Sequence, residues 1–457
     1  MRRMLVVAGA IGAIGAIVAS AHAAGAQALP NCDYIFENTP ATTANLVQQP
    51  SGQSLMILGR GVIVSCAGQN NRISSDSAQF NQESGVLLLI GNVHYSEPQI
   101  TITAQRMTYF RGEDRLNAEG NVVATMSSGS MMNAPAADYY RAVVGRPVSR
   151  TVATGRPQLS LVEPGEGGAA VEPVVVLADR IVLVGDSLAY ASRRVDITRT
   201  SVRANGDSAF VDSEREFVRL MLSPVVTGRG ERPFTMRGGV IDLFSRERKL
   251  ERVLATPSGH VLSGDLELLA DSIDLRLADE RLQEAYAWGP GRARATSPDR
   301  DITADSIYVS TPNQRLREMH AIGDAFANSI ADTATVTSNE RDWISGDTIV
   351  ASFDSAAAGD TTRAAPRELI ASGSARSFYQ FGNPEGVRDR PTVNYVRGRV
   401  IAIAFADGEV STVTVTDQAS GVYLEAESLT AIPPSTPAAT TPQLPARTTR
   451  PRPGIPR

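Results

Sequence analysis

Histidine is scarce in this chain, four residues in 457, at His22, His94, His260 and His320. Imidazole is the usual general base near neutral pH and the commonest metal ligand, so acid–base chemistry would have to rest on scattered carboxylates. Cysteine is rarer still, with Cys32 and Cys66 alone. Two thiolates with no histidine cluster beside them cannot fill a tetrahedral zinc site, and no metal site is expected. Lysine is reduced to Lys249. The other cations are scattered arginines that form no basic block, and net charge is −5, so nucleic acid is not an expected partner. Walker-type glycine loops, zinc-helix motifs and dinucleotide fingerprints are missing too, and no cofactor is implied. Aromatic side chains make up 5% and long helical periodicity is absent, which turns attention to internal repetition.

One long apolar run does exist, at the start. Arg2 and Arg3 precede a greasy stretch from Met4 to Ser20, followed by small residues at Ala21, Ala23, Ala26 and Ala28. That order marks a secretory signal peptide, assigned to residues 1–28 with cleavage after Ala23 or Ala28. A periplasmic mature protein is expected, and in that oxidising setting Cys32 and Cys66 are expected to form a disulfide. Asn31 before Cys32 is not the small residue that bacterial lipidation requires, so no lipid anchor is expected.

Two elements recur along the mature chain. The first is an acidic–hydroxyl pair leading into an alternating strand: Asp76-Ser77, Asp271-Ser272, Asp305-Ser306 and Asp347-Thr348, with Asp186-Ser187 and Asp207-Ser208 as further copies and Gln105-Arg106 as a degenerate one. The second carries a glycine flanked by apolar residues at even spacing, around Gly91, Gly120, Gly289, Gly323 and Gly373. Leu89 and Val93, or Ala118 and Val122, share a parity and therefore a strand face. Polar turns such as Gln82-Glu83-Ser84-Gly85 and Arg111-Gly112-Glu113-Asp114 separate the elements and read as hairpins. Each repeat is thus a two-strand unit of roughly thirty to forty residues.

Parity also switches inside single strands. In QITITAQRMTYF the inward candidates Ile100, Ile102 and Ala104 share one parity and Met107 and Tyr109 the other; Ile302 and Ala304 give way to Ile307 and Val309 in the same manner. Such a switch needs a bulge or corner, and the Asp-Ser pairs sit there. Cornered strands in series fold a sheet over itself into an elongated two-walled structure. Residues 29–156 form the first such region, 157–173 (PQLSLVEPGEGGAAVEP) read as a loop or hinge, and 174–432 carry further repeats. Residues 433–457 are a Pro/Thr/Arg-rich tail expected to be disordered.

The signal peptide, the A-D-S-I elements and the paired G-N-V motifs, Gly91-Asn92-Val93 and Gly120-Asn121-Val122, resemble the organic-solvent-tolerance (OstA-like) N-terminal domain family, which includes LptA-like lipopolysaccharide-transport proteins. The likeness is closest from Ile73 to Thr125 and weaker to about Ile432. It implies an all-β, elongated β-jellyroll (β-taco) whose greasy interior holds acyl chains while the sugar head stays outside. The lining would be Leu87, Leu89, Val93, Ile100, Ile102, Leu116, Ala118 and Val122, with Ile302 and Ile307 in later repeats. Lipopolysaccharide or another glycolipid, β-jellyroll modules meeting edge strand to edge strand, and indirectly an inner-membrane ATPase complex are the partners this implies. The chain has more repeats than the short bridge proteins of that family. The rival reading is a structural or adhesive β-solenoid with a filled core, in which the same residues are ordinary packing.

One enzymatic hint stands apart. Gly185-Asp186-Ser187-Leu188 spells the G-D-S-L of a hydrolase family, whose serine needs a late Asp-x-x-His pair. None of His94, His260 and His320 has an aspartate three residues before it. No enzyme is expected, and Ser187 is read as one more corner residue. Ser213-Glu214-Arg215-Glu216 has the form of a capping box, but SAFVDSEREFVRLML aligns with SIDLRLADERLQEAY, so a hairpin turn is expected there.

Overall fold

The structure, a computed structural model, describes residues 32–37, 40–50, 52–162, 173–229, 233–312, 315–331, 334–354, 365–382, 390–406 and 409–425. The expected signal peptide and C-terminal tail lie outside the described residues. Among the described residues, strands join into one 30-stranded antiparallel sheet, and α-helix is absent, with a 3-10 turn at Arg111–Glu113. The all-β, jellyroll-like expectation holds.

The chain begins with β1 (Tyr34–Glu37) and β2 (Thr43–Gln48), both paired to β3 (Ser54–Cys66). An up-and-down run follows through β4 (Arg72–Asn81), β5 (Val86–Glu97), β6 (Ile100–Phe110), β7 (Arg115–Met126) and β8 (Met131–Tyr140). Each long strand bends midway, so its two halves lie in two different walls. In the β5/β6 ladder Leu89 faces Met107 before the bend and Val93 faces Ala104 after it, with a register shift between Ile90 and Val93. The hairpin turns after β4 and β6 edge the first wall; those after β3, β5 and β7 edge the second.

The bend has a defined chemistry. Gly91 and Asn92 both adopt left-handed backbone, with φ of 81° and 44°. Two such residues bulge together, so β5 turns the corner without changing parity, whereas β6 inserts one and switches. A Cβ at Gly91 would lie 2.3 Å from Asp76 Oδ2, so glycine is required for space as well as for φ. The Asn92 amide donates to the same Asp76 oxygen at 2.9 Å. The Asp-Ser and G-N-V elements are therefore two sides of one corner. Gly323 over Asp305 and Gly373 over Asp347 repeat it.

In the centre many strands split at the bend. β9 (Arg150–Thr154), β12 (Arg180–Val184), β15 (Phe217–Met221), β18 (Val240–Arg246), β19 (Lys249–Thr256) and β22 (Ser272–Ala278) carry the first wall. β10 (Gln158–Leu161), β11 (Val174–Leu177), β16 (Val225–Gly228), β17 (Phe234–Arg237), β20 (Gly259–Ser263) and β21 (Leu266–Ala270) carry the second. Only β13 (Leu188–Thr198) and β14 (Val202–Asp212) span both walls here. Bent strands return as β23 (Arg281–Ser297), β24 (Arg300–Ser310), β25 (Glu318–Ile330), β26 (Arg341–Phe353), β27 (Pro366–Phe381) and β28 (Thr392–Ala406). β29 (Glu409–Thr416) and β30 (Ser420–Leu424) end the first and second walls.

Three expectations change or sharpen. Residues 157–173 are not loop throughout, because Gln158–Leu161 form β10, hydrogen-bonded to β8 and β11; alternation of buried Leu159 and Leu161 outweighs the nearby prolines. Residues 163–172 lie outside the described residues. Asp186-Ser187 occupies the tight turn between β12 and β13 rather than a corner. Ser213–Glu216 is a turn, since Asp212 pairs with Phe217 across a β14/β15 hairpin.

Candidate functional site: the interior between the walls

Inward residues line up in cross-strand rows. Nearest the bend, Leu89, Met107, Ala118 and Ala137 oppose one another in the first wall, and Val93, Ala104, Val122 and Ala134 in the second. Nearer the mouth stand Leu87, Tyr109, Leu116 and Tyr139 on one side and Tyr95, Ile102, Ala124 and Met132 on the other, larger than the bend rows except at Ala124. A V-shaped section has least room at its apex, so small side chains belong there and bulky ones at the opening.

All ten residues nominated from the sequence face this interior. Leu87, Leu89, Val93, Ile100, Ile102, Leu116, Ala118, Val122 and Ile307 are buried in one hydrophobic cluster, and Ile302 packs against it partly exposed. The structure brings the first eight together in the N-terminal section. Ile302 and Ile307 lie on β24, on the second and first walls of the C-terminal section.

The mouth of the N-terminal section is closed by polar groups that the apolar pattern does not single out. Arg141, just past β8 on the first wall, is 1% exposed. Its Nη2 donates to Gln69 Oε1 at 2.6 Å and its Nε to Glu97 Oε2 at 3.3 Å, both on the second wall. Its Nη1 donates to Tyr109 Oη at 3.1 Å and lies 3.4 Å from Asp114 Oδ1. The Tyr95 hydroxyl donates to Glu97 at 2.7 Å, Tyr139 donates to the same carboxylate, and Tyr109 donates to Asp114 at 2.9 Å. Burial, with Glu97 or Asp114 alongside, pushes all three tyrosine hydroxyls upward, so they remain donors. Burial opposes the charge on Arg141, but the hydrogen bond to Tyr109 and the Glu97 carboxylate offset it and the guanidinium is held above its ordinary value. The Tyr34 hydroxyl donates to Gly85 O at 3.2 Å, Arg111 pairs with Asp33, and the Cys32–Cys66 disulfide anchors that leading segment at the second wall's edge. A parity signal for this network exists in the sequence: Arg141 stands in step with inward Ala137 and Tyr139, and Glu97 with inward Val93 and Tyr95.

The central section is less sealed. A narrow cleft of about 50 Å³ runs between the walls, lined by Leu161, Val174, Ile197, Val202, Val218 and Leu243, with Arg199, Asp212 and Glu216 at its lip. Val174 and Val218 are partly exposed there. A larger recess of about 460 Å³ lies on the first wall around Trp288, Tyr308, His320 and Ile322, with Ala287 and Ile307 also in its lining. Ser187 lines neither; its carbonyl accepts from the Ser213 amide at 3.0 Å, which links two neighbouring hairpin turns.

Fold and site together define a two-walled all-β protein with an apolar interior, a jellyroll opened along one edge. Residues 72–159, from β4 to β10, match the family model described as LptA/(LptD N-terminal domain) LPS transport protein. Over that stretch, which holds both G-N-V corners, the chain is similar to this lipopolysaccharide-transport family. A search of the curated proteins finds no match.

Proposed function

We propose that the protein is a non-catalytic periplasmic carrier that shelters the acyl chains of lipopolysaccharide, or a related envelope lipid, between its two walls. The observation that carries this reading is the continuous apolar inner face of both walls, open at the centre to a cleft with a polar lip. An amphiphile needs that combination: hydrocarbon leaves water for about 25 cal/mol per Å² buried, while its head stays hydrated. At about 50 Å³ the resting cleft holds little more than a few waters, so the walls part to admit a chain. The sequence-nominated residues become lining as they do so. The family match over 72–159 supports the substrate class.

Edge strands support a place in a larger assembly. Among the described residues β2 pairs with β3 alone and exposes Leu46 and Val47, and β30 pairs with β28 alone and exposes Val422, Tyr423 and Leu424. Unpaired backbone at either end suits strand addition by another jellyroll module. Directional movement would then draw on an ATPase at the inner membrane. The test is native mass spectrometry of the mature protein from envelope extracts. Bound glycolipid is expected; protein repeatedly free of lipid, with no capture by a photo-crosslinker at Val218, would leave the filled solenoid as the better account.

A further inference from the structure

We infer that the Arg141 network is a latch holding the N-terminal section shut, so that an amphiphile loads through the central cleft and reaches the β4–β8 interior only when the latch opens. This rests on the lipid-sheltering reading above. Arg141 is among the largest fully buried side chains, yet it lies at the mouth, where a core would be expected to be apolar. Its partners come from opposite walls: Asp114 and Tyr109 from the first, Gln69 and Glu97 from the second. Parting the walls there must break the bonds to Gln69 and Glu97, together with the Tyr139–Glu97 bond, and leave charges half-paired in a confined site. Buried charges cut from their partners are costly, so this section resists opening.

Among the described residues, no buried arginine crosses the central mouth. Ser201 Oγ donates to Glu280 across it at 2.8 Å, and below the lip the cleft has apolar lining on both sides, Leu161, Val174, Ile197 and Val202 from the second wall and Val218 and Leu243 from the first. Splitting the strands at the bend adds freedom, since β15 and β16 are joined by a loop and not by one bent ladder. The sequence motif that marks the family and the interior that is easiest to open therefore lie in different sections of the molecule.

The experiment places a photo-crosslinking amino acid at Val218, Leu89 or Leu116 in the full mature protein and uses tritiated lauric acid as the probe. Wild type should capture it at Val218 and, by roughly ten-fold or more, less at Leu89 and Leu116, because affinity falls with the fraction of open molecules. Arg141→Met combined with Glu97→Gln and Asp114→Asn leaves no orphan charge; it should raise capture at Leu89 and Leu116 toward the Val218 level and leave Val218 unchanged. Tyr139→Phe, which removes one hydroxyl from Glu97 and keeps the ring, should give a smaller rise and guards against a misfolded triple variant. Strong Leu89 capture in wild type, or variants of native circular dichroism in which Leu89 stays silent while Val218 is captured, would overturn the latch alone. Capture at none of the positions in any variant would overturn the lipid reading with it.

Discussion

The N-terminal and central sections are built from the same two walls and differ in how the walls are joined. From β3 to β8 each strand runs unbroken through the bend, and the far edge is closed by a buried arginine with its tyrosine and carboxylate partners. From β15 to β22 the two halves are separate strands, and the edge holds one cleft with an apolar lining, a polar lip and the Ser201–Glu280 hydrogen bond in place of a buried arginine. The lesson is that an inward-facing apolar surface does not by itself decide whether an interior is a packed core or a binding groove. The polar chemistry at the rim decides it, because polar groups that cross the mouth must be unpaired before the walls can part.

The largest effect should come from breaking the closed rim. Arg141→Ala strands Glu97 and Asp114 in the interior and should destabilise the N-terminal section by about 3–5 kcal/mol, read as lost hydrogen-exchange protection in β5 to β8. In the central section the exposed Lys249–Asp279 pair should tolerate Lys249→Ala with unchanged protection; equal losses at both sites would erase the comparison. Next, Cys32→Ala with Cys66→Ala opens a loop of 34 residues and should cost about 2–4 kcal/mol in denaturant titration. The loss should concentrate in β1 and β3, with β15 to β22 unaffected.

The bend gives a finer contrast. Gly91→Ala meets both a left-handed φ and Asp76 Oδ2 at 2.3 Å, whereas Gly264→Ala in the central section meets a left-handed φ in open space. Gly91→Ala should cost about 2–3 kcal/mol and Gly264→Ala about 1 kcal/mol, by thermal unfolding. If the two are equal, corner packing adds nothing to backbone strain.

The last test falls on the C-terminal section, where among the described residues a buried carboxylate has no cation beside it such as Glu97 and Asp114 have. Asp342 is 7% exposed. Burial pushes its pKa up to about 6, against the donated bonds of the Gln380 amide at 2.9 Å and side chain at 3.2 Å. A folded-state value above the unfolded one means that the folded protein holds the proton more tightly. Stability from this group is therefore fullest below about pH 4, falls as pH rises to about 6, and is level beyond. Asp342→Asn, which can still accept both bonds, should remove that fall and be the more stable by up to about 3 kcal/mol at pH 7, with little difference at pH 4.

Much of this fold is legible in the amino-acid pattern. The parity switch from Ala104 to Met107 locates a bend, and the hairpin turns at 82–85 and 111–114 follow from polar residues between alternating runs. A plain-strand reading of the glycine element misses that Gly91 and Asn92 bulge as a pair, because a two-residue bulge preserves parity and leaves no trace in the alternation. Nearby prolines hide β10. Ser187 reads as a corner residue because Asp-Ser looks the same in a turn, where the same side chains satisfy the same freed backbone groups.

By itself, then, the sequence determined which residues face inward, where strands turn and which two cysteines could meet, since parity and turn chemistry act over a few residues. Only the tertiary structure decided which inward residues face one another across the mouth. Arg141 and Gln69 are 72 positions apart and Arg141 and Glu97 are 44 apart. Their meeting depends on the summed twist, bend angle and register of every strand between them, and no local pattern encodes that sum.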